Sequence, residues 1–365
     1  MTLAKPANEQ RISCEIDLNL ALSLRKAEFV IVHGAVLTQQ SNIVSPNPTT
    51  IARAADLIRA GELVALPTET VYGLGADATN PVAVARIFTA KGRPSFNPLI
   101  VHVASLERAR SIAQVTLLAE RLAAAFWPGP LTLILPRNQK HTIPDITVAG
   151  LDTIAIRIPS HSTALELLIK AECPIAAPSA NISGHVSATT AQHVADDFGT
   201  KVSLILDAGQ TTHGVESTVI DATGAEPILL RPGAVTADAI VDAIGIYPKL
   251  AQPISQSPTS PGQLESHYAP NCQVRLNAID IAEHEHYLAF GPQVPHHIKP
   301  LGNLSPGGDL IEAAANLFAA LRQLDQPDIH TIAVAPIPAT GIGIAINDRL
   351  RRAAAPRPST DKNGG

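Results

Sequence analysis

The feature that most constrains this chain is a series of short apolar segments, at 63–66, 99–103, 131–135, 153–158, 175–177, 202–206, 218–221 and 228–230. Runs of this length, flanked by Gly, Pro, Ser or Thr, read as buried strands. Between them lie stretches of helical period at 82–91, 117–126, 162–171, 188–198 and 237–244. Strands interleaved with amphipathic helices predict an α/β layer architecture. Their order is mixed, which predicts a twisted sheet with some antiparallel pairing. Hydrophobic residues make up 45% of the chain but aromatics only 3%, so the core must be built from Ala, Val, Ile and Leu. That composition suits helices on a sheet better than an all-β sandwich.

A chain of 365 residues suits two domains. Residues 1–47 read as an N-terminal extension and 48–246 as the larger α/β domain, its first helix capped by Thr49 or Thr50 and ended by Gly61. Residues 247–270 are rich in Pro, Ser and Gln without an apolar period and read as a linker. Strand patterns at 274–276, 287–290 and 331–335, with an amphipathic helix at 311–324 and a final helix opening near Gly341, predict a small α/β domain over 271–355. Residues 356–365 read as a loose tail.

The formal net charge is -5, which argues against a protein held to nucleic acid mainly by phosphate contacts. Any RNA contact is expected to be local or weak. Cys14, Cys173 and Cys272 are dispersed, with no CxxC pair, so neither a disulfide framework nor a zinc site is expected. No apolar run reaches the length of a membrane span, and the apolar stretch at 18–37 is broken by Arg25, Lys26, Glu28 and His33. It also lacks the marks of a signal peptide, so a cytoplasmic setting is expected.

The polar residues gather at strand ends. PTETVYGLG at 67–75 follows a buried strand, where Gly73 and Gly75 could let backbone approach a phosphate or carboxylate, or simply make a turn. Lys91, Arg93, Ser95 and Asn97 follow the end of a helix; the two cations could clamp a polyphosphate or merely complement the helix C-terminus. There is no GxxxxGK[ST], so a nucleotide site here is not a P-loop. In the strand at 153–158, Ile154, Ile156 and Ile158 share one face and leave Thr153, Ala155 and Arg157 on the other. An arginine in such a strand needs an anion, either a protein carboxylate or a substrate carboxylate or phosphate. PSANISG at 178–184, Ser187, GVEST at 214–218 and LRPG at 230–233 repeat the theme. Each alone could be a cap or turn, but their recurrence is better explained by one shared site. Asp207 beside Gly209 reads as a turn residue, and 283–286 (EHEH) as a solvated stretch. No GxSxG or Cys–His pairing supports nucleophilic catalysis.

Taken in order, these segments, with NPLIVH at 97–102, WPGPLT at 127–132, LDTIAIR at 151–157, APSAN at 177–181, HYAP at 267–270 and NDRLR at 347–351, closely resemble the threonylcarbamoyl-AMP synthase family. The resemblance is to its long form, a YrdC-like domain followed by a smaller Rossmann-like C-terminal domain. It implies a nucleotidyltransferase that makes threonylcarbamoyl-AMP and pyrophosphate from L-threonine, bicarbonate and ATP for a tRNA modification beside the anticodon. It further implies that Thr70, His102, Arg157, Ala177 and Ser217 line a threonine pocket. Arg93, Asn97, Thr153, Ser179, Ser187 and Arg231 would hold ATP, with Lys91 and Arg93 as the catalytic cations. Mg²⁺ is expected to come with ATP, no resident metal is expected, and a separate transferase would consume the product. Family members often carry an aromatic residue in the linker where this chain has Glu265; the linker is expected to close over the site. Two rival readings are a carbamoyl-transferring enzyme of the hydrogenase-maturation type, which would need zinc-finger parts, and a noncatalytic RNA-binding module of the same fold.

Overall fold

The computed structural model describes residues 30–32, 35–37, 42–138, 142–251, 267–294, 298 and 300–356. Two units are distinguished, residues 1–41 and 42–365. In the first, Val30–Val32 and Ala35–Leu37 form an antiparallel pair. The second carries two sheets.

The larger sheet has 11 strands among the described residues. Its order is Lys249–Leu250, Ile228–Arg231, Thr218–Asp221, Leu131–Pro136, Thr153–Arg157, Ile100–His102, Ile175–Ala176, Gly73–Asp77, Val64–Leu66, Leu204–Leu206 and Ile43–Val44. Parallel and antiparallel pairs alternate irregularly along it, as the mixed element order predicts. The sheet begins before residue 48, because Ile43–Val44 pairs in parallel with Leu204–Leu206. The smaller sheet, Gln273–Arg275, Thr331–Val334, Glu285–Ala289 and Gly302–Asn303, is all parallel. Its strand Glu285–Ala289 starts inside the stretch read as solvated, because Glu285 pairs with Arg275 at 2.6 Å and gains a reason to be ordered.

Local chemistry explains the helix boundaries. Pro48 at the first turn of Pro48–Arg59 moves the cap from Thr49 or Thr50 back to Asn47, whose side chain accepts from the Thr49 and Thr50 N–H groups. Thr50 instead completes the capping box. Pro81–Lys91 ends at Gly92 in the left-handed region, which turns the chain sharply toward Arg93. A helix at Leu106–Ile112 and a strand at Gly73–Asp77 have no counterpart in the sequence reading. Gly75 belongs to that strand. A Cβ there would lie 2.8 Å from a Leu66 methyl and 3.1 Å from Ile175, so the glycine is required by packing rather than by a ligand.

The apolar face of Thr153–Arg157 behaves as its alternation predicts. Ile154 and Ile156 enter the main core with Leu133, Leu135 and Val101, whereas Ala155 joins a separate small cluster with Ile100, Ile134 and Val219. A further core is shared between the sheets. Leu317, Phe318, Leu321, Ile346 and Leu350 of Leu310–Leu324 and Gly343–Ala354 pack with Val71, Val186 and Val215, which come from strand-end loops of the larger sheet. The helical layer of the small sheet therefore rests on the loops that carry the polar motifs.

Candidate functional site

Those loops enclose a recess lined largely by polar side chains converging from several strand ends. Its position follows from the register. His102 and Arg157 are direct partners at the C-terminal ends of two parallel strands, and Ser217 and Arg231 come from strand ends on the far side of Leu131–Pro136. The lining includes Thr70, Gly73, Arg93, His102, Arg157, Ala177, Ser179, Ser217 and Arg231.

Arg157 is buried and held on three sides. Its Nη2 donates to Glu69 Oε1 at 2.6 Å, its Nη1 to Thr70 Oγ1 at 2.9 Å, and its Nε to the Gly129 carbonyl at 3.2 Å. Glu69 also accepts from the Ser160 N–H at 3.1 Å. Burial works to raise the Glu69 carboxyl, but the Arg157 charge and these hydrogen bonds outweigh it and hold it below the ordinary value. Of the two partners open to Arg157 from sequence, the protein carboxylate is thus in place. The guanidinium still lines the recess.

His102 is 2% exposed, and burial, with the Arg157 charge beside it, lowers its pKa to about 3. The ring is neutral at physiological pH, and its Nδ1 has no protein hydrogen-bond partner. A buried polar atom without a partner facing a recess is suited to meet a ligand. Asn97 is fully buried with both ends of its amide unpartnered, although it is not among the lining residues.

Of the cations, Arg93 donates to the carbonyls of Asn97 and Pro98 and lines the recess. Burial lowers its pKa to about 10, which leaves it charged at neutral pH. Arg231 donates twice to the Ser217 carbonyl, at 3.1 and 2.9 Å, and to Ser217 Oγ at 3.2 Å. Lys91 sits behind the wall. Its Nζ donates to the carbonyls of Ser179 and Asn181, so in this state it anchors the 178–181 loop. Burial, reinforced by Arg93, pulls its pKa well below the lysine value, and a nearby anion would offset that.

Two further residues picked out in the sequence lie outside the lining. Ser187 donates its hydroxyl to Glu216 Oε1 at 2.5 Å, behind the recess. Thr153 shares a strand face with Arg157 but stands four residues away, roughly 13 Å along the strand. Asp207 accepts from the Gly209 N–H at 2.9 Å, which is its turn role. Glu265 and the rest of 252–266 lie outside the described residues.

Sequence reasoning gave no role to Glu69, Glu216, His267 or Tyr268, and the last three also line the recess. The signal for Glu69 was present, since Arg157 demanded a carboxylate and Glu69 adjoins Thr70. His267 Nδ1 is buried and unpartnered, and Tyr268 stacks on Phe318 with ring centroids 5.5 Å apart. Taken together, the site offers three arginines, neutral imidazoles and several hydroxyls, a donor-rich set fit to bind carboxylate and phosphate oxygens.

Comparison with known proteins shows the family to which the chain is similar. Residues 56–233 match the Sua5, YciO and YrdC family model, described as "Telomere recombination", and residues 235–355 match the model described as "Threonylcarbamoyl-AMP synthase, C-terminal domain". The chain is 44% identical over 320 residues to the threonylcarbamoyl-AMP synthase of Pyrococcus abyssi, covering 83% of this chain and 94% of that protein. It is 41% identical over 331 residues to the Bacillus subtilis protein of the same name, covering 86% and 95%. A crystal structure of P. abyssi Sua5 complexed with L-threonine superposes with a TM-score of 0.76 at 40% identity, covering 86% of this chain and 96% of that one.

Proposed function

The chain belongs to the threonylcarbamoyl-AMP synthase family, and from that premise we propose that its recess joins L-threonine, bicarbonate and ATP into threonylcarbamoyl-AMP and pyrophosphate. The observation that carries this reading is the convergence of Thr70, His102, Arg157 and Ser217 with Arg93, Ser179 and Arg231 on one buried recess. Arg157 takes the threonine carboxylate, with the Thr70 and Ser217 hydroxyls and neutral His102 completing the amino-acid pocket beside Ala177. Arg93, Ser179 and Arg231 take the nucleotide. Asn97 and Ser187 support it from behind, and Thr153 would need a nucleotide reaching well along the strand.

Bicarbonate takes up a proton and loses water to give carbon dioxide, which the neutral threonine amine captures with loss of a proton to give a carbamate. A carbamate oxygen then attacks the α-phosphorus of ATP as the bond to the β-phosphate oxygen breaks and pyrophosphate leaves. Such a step needs positioning and charge neutralisation rather than a protein nucleophile. Approaching phosphate oxygens favour the charged form of Lys91, and Arg93 bears on the same oxygens. Magnesium enters as part of the nucleotide substrate. The adenylate passes to a separate transferase acting on tRNA, with only weak contact between tRNA and this acidic chain. Among the described residues no helix is long and apolar enough to cross a membrane, which fits work beside tRNA in the cytoplasm. The L-threonine complex of the P. abyssi relative favours catalysis over a noncatalytic RNA-binding role.

The test is pyrophosphate release from ATP and bicarbonate with threonine, serine or no amino acid, in wild type and Arg157→Ala. Release that requires threonine and bicarbonate and collapses in the variant is expected. Folded wild-type protein without threonine-dependent release would refute the proposal.

A further inference from the structure

Arg349 has 0% exposure, the most complete burial of any charged side chain among the described residues, and it comes from the last helix rather than from the larger sheet. Its Nε donates to Glu216 Oε2 at 2.7 Å, its Nη1 to Asp348 at 2.6 Å and its Nη2 to the Pro232 carbonyl at 3.0 Å. Its guanidinium carbon lies 5.2 Å from the centroid of the Tyr268 ring. Burial opposes its charge, but Tyr268, Glu216 and Asp348 more than compensate and raise its pKa.

Apart from Asp348 on its own helix, each of these contacts leads to the wall of the recess. Glu216 and Tyr268 line it, and Pro232 directly follows Arg231, which also lines it. Through Glu216 the chain of contacts continues to the Ser187 hydroxyl. Burying an arginine this deeply is costly unless every donor is used. A purely structural anchor between the two layers already exists in Arg322, which forks onto Asp197 and donates to the Val186 and Ser187 carbonyls.

We propose that Arg349 is a positioning residue of the reaction, through which the C-terminal layer sets the Glu216, Arg231 and Tyr268 wall against the nucleotide. The inference rests on the synthase reading. It assigns the C-terminal domain a part in building the nucleotide side of the active site. Removing the guanidinium leaves Glu216 buried with Arg231 and the Ser187 hydroxyl to hold its charge, without Arg349, the strongest influence keeping its carboxyl low against the effect of burial. Its carboxyl would then titrate higher than in wild type.

The test uses steady-state pyrophosphate release by the full chain. Arg349→Met is expected to raise KM for ATP at least tenfold while KM for threonine changes less than twofold. Arg349→Lys, which keeps the charge but loses the fork, should fall between. The acid side of the pH profile of kcat/KM should move to higher pH in Arg349→Met than in wild type. A residue that only stabilises the fold would lower the active fraction without either change. A folded Arg349→Met with wild-type KM for ATP and an unchanged pH profile overturns the proposal. If Arg349→Met does not fold, Glu216→Gln keeps the shape and weakens the same pair; a KM for ATP within twofold of wild type there overturns it equally. Wild-type protein without threonine-dependent release would instead refute the synthase reading on which the inference stands.

Discussion

Arg157 and Glu69 form a buried ion pair, with Nη2 2.6 Å from Oε1 and side-chain exposures of 4% and 7%. The pair explains how an arginine stands ready in an apolar sheet before any substrate arrives. Glu69 satisfies one edge of the guanidinium, and Thr70 and the Gly129 carbonyl orient the rest. The substrate carboxylate then meets a cation already desolvated and fixed in direction, so less ordering is left to binding.

The first prediction concerns this pair. Arg157→Met should leave Glu69 as an uncompensated buried carboxylate and cost about 3–5 kcal/mol of stability. Arg157→Met/Glu69→Leu should recover most of that stability while threonine-dependent turnover stays at least 100-fold down. Chemical denaturation and pyrophosphate release, measured on the same preparations, separate the two effects. Recovery of activity along with stability would show that the arginine serves the fold alone.

The second concerns pH. His102 has a folded pKa lowered to about 3, against an ordinary value of 6.5. Between those values the unfolded chain binds a proton that the folded chain refuses, so stability is full above pH 6.5 and declines as pH falls toward 3. Moving from pH 7.5 to 5 should cost about 2 kcal/mol through this group alone. His102→Gln should flatten that slope by a similar amount in urea melts at the two pH values. An unchanged slope would mean that the imidazole is hydrated or charged in the folded state.

The third concerns Gly214, which has φ +67 and lies against Leu310–Leu324. A Cβ there would sit 2.3 Å from the Ala314 carbonyl oxygen and 2.5 Å from the Ala315 Cα. Both contacts are backbone, so neither can move aside. Gly214→Ala should destabilise by more than about 2 kcal/mol, adding left-handed strain to the steric clash. It should also weaken ATP use, because the 214–218 segment carries Glu216 and Ser217. A melting temperature equal to wild type would contradict the close packing of helix and loop.

The fourth concerns Lys91. Its Nζ is bound to the Ser179 and Asn181 carbonyls in a fully enclosed position. Lys91→Met should therefore loosen the 178–181 loop and lower kcat/KM for ATP by at least tenfold. Lys91→Arg should not rescue it, since the wider fork has no room between the two carbonyls. Rescue by arginine would show that charge alone is needed.

Much of this protein was legible in the sequence because strand periodicity and helix punctuation are local. Alternation put Ile154 and Ile156 in the core and Arg157 on the other face, and the helices at Leu117–Phe126, Ser162–Ala171 and Ala237–Ile244 begin and end where the residue pattern places them. The recurrence of polar segments at 67–75, 178–184, 214–218 and 230–233 beside strand ends pointed to one site for the same reason. In a layered α/β fold, strand ends are where unpaired backbone and polar side chains collect.

What the sequence alone determined is most of the elements and the chemical character of the strand ends, since both follow from neighbours a few residues apart. Tertiary structure alone decided which charge meets which. Glu69 reaches Arg157 across 88 residues, and Glu216 reaches Arg349 across 133. It also decided that Gly75 answers to Leu66 rather than to a ligand, and that Thr153 lies far from the residue whose strand face it shares. Periodicity fixes a side chain's face but not its depth along the sheet or its partner across it. Those depend on how distant segments pack, where burial makes each charge seek its opposite.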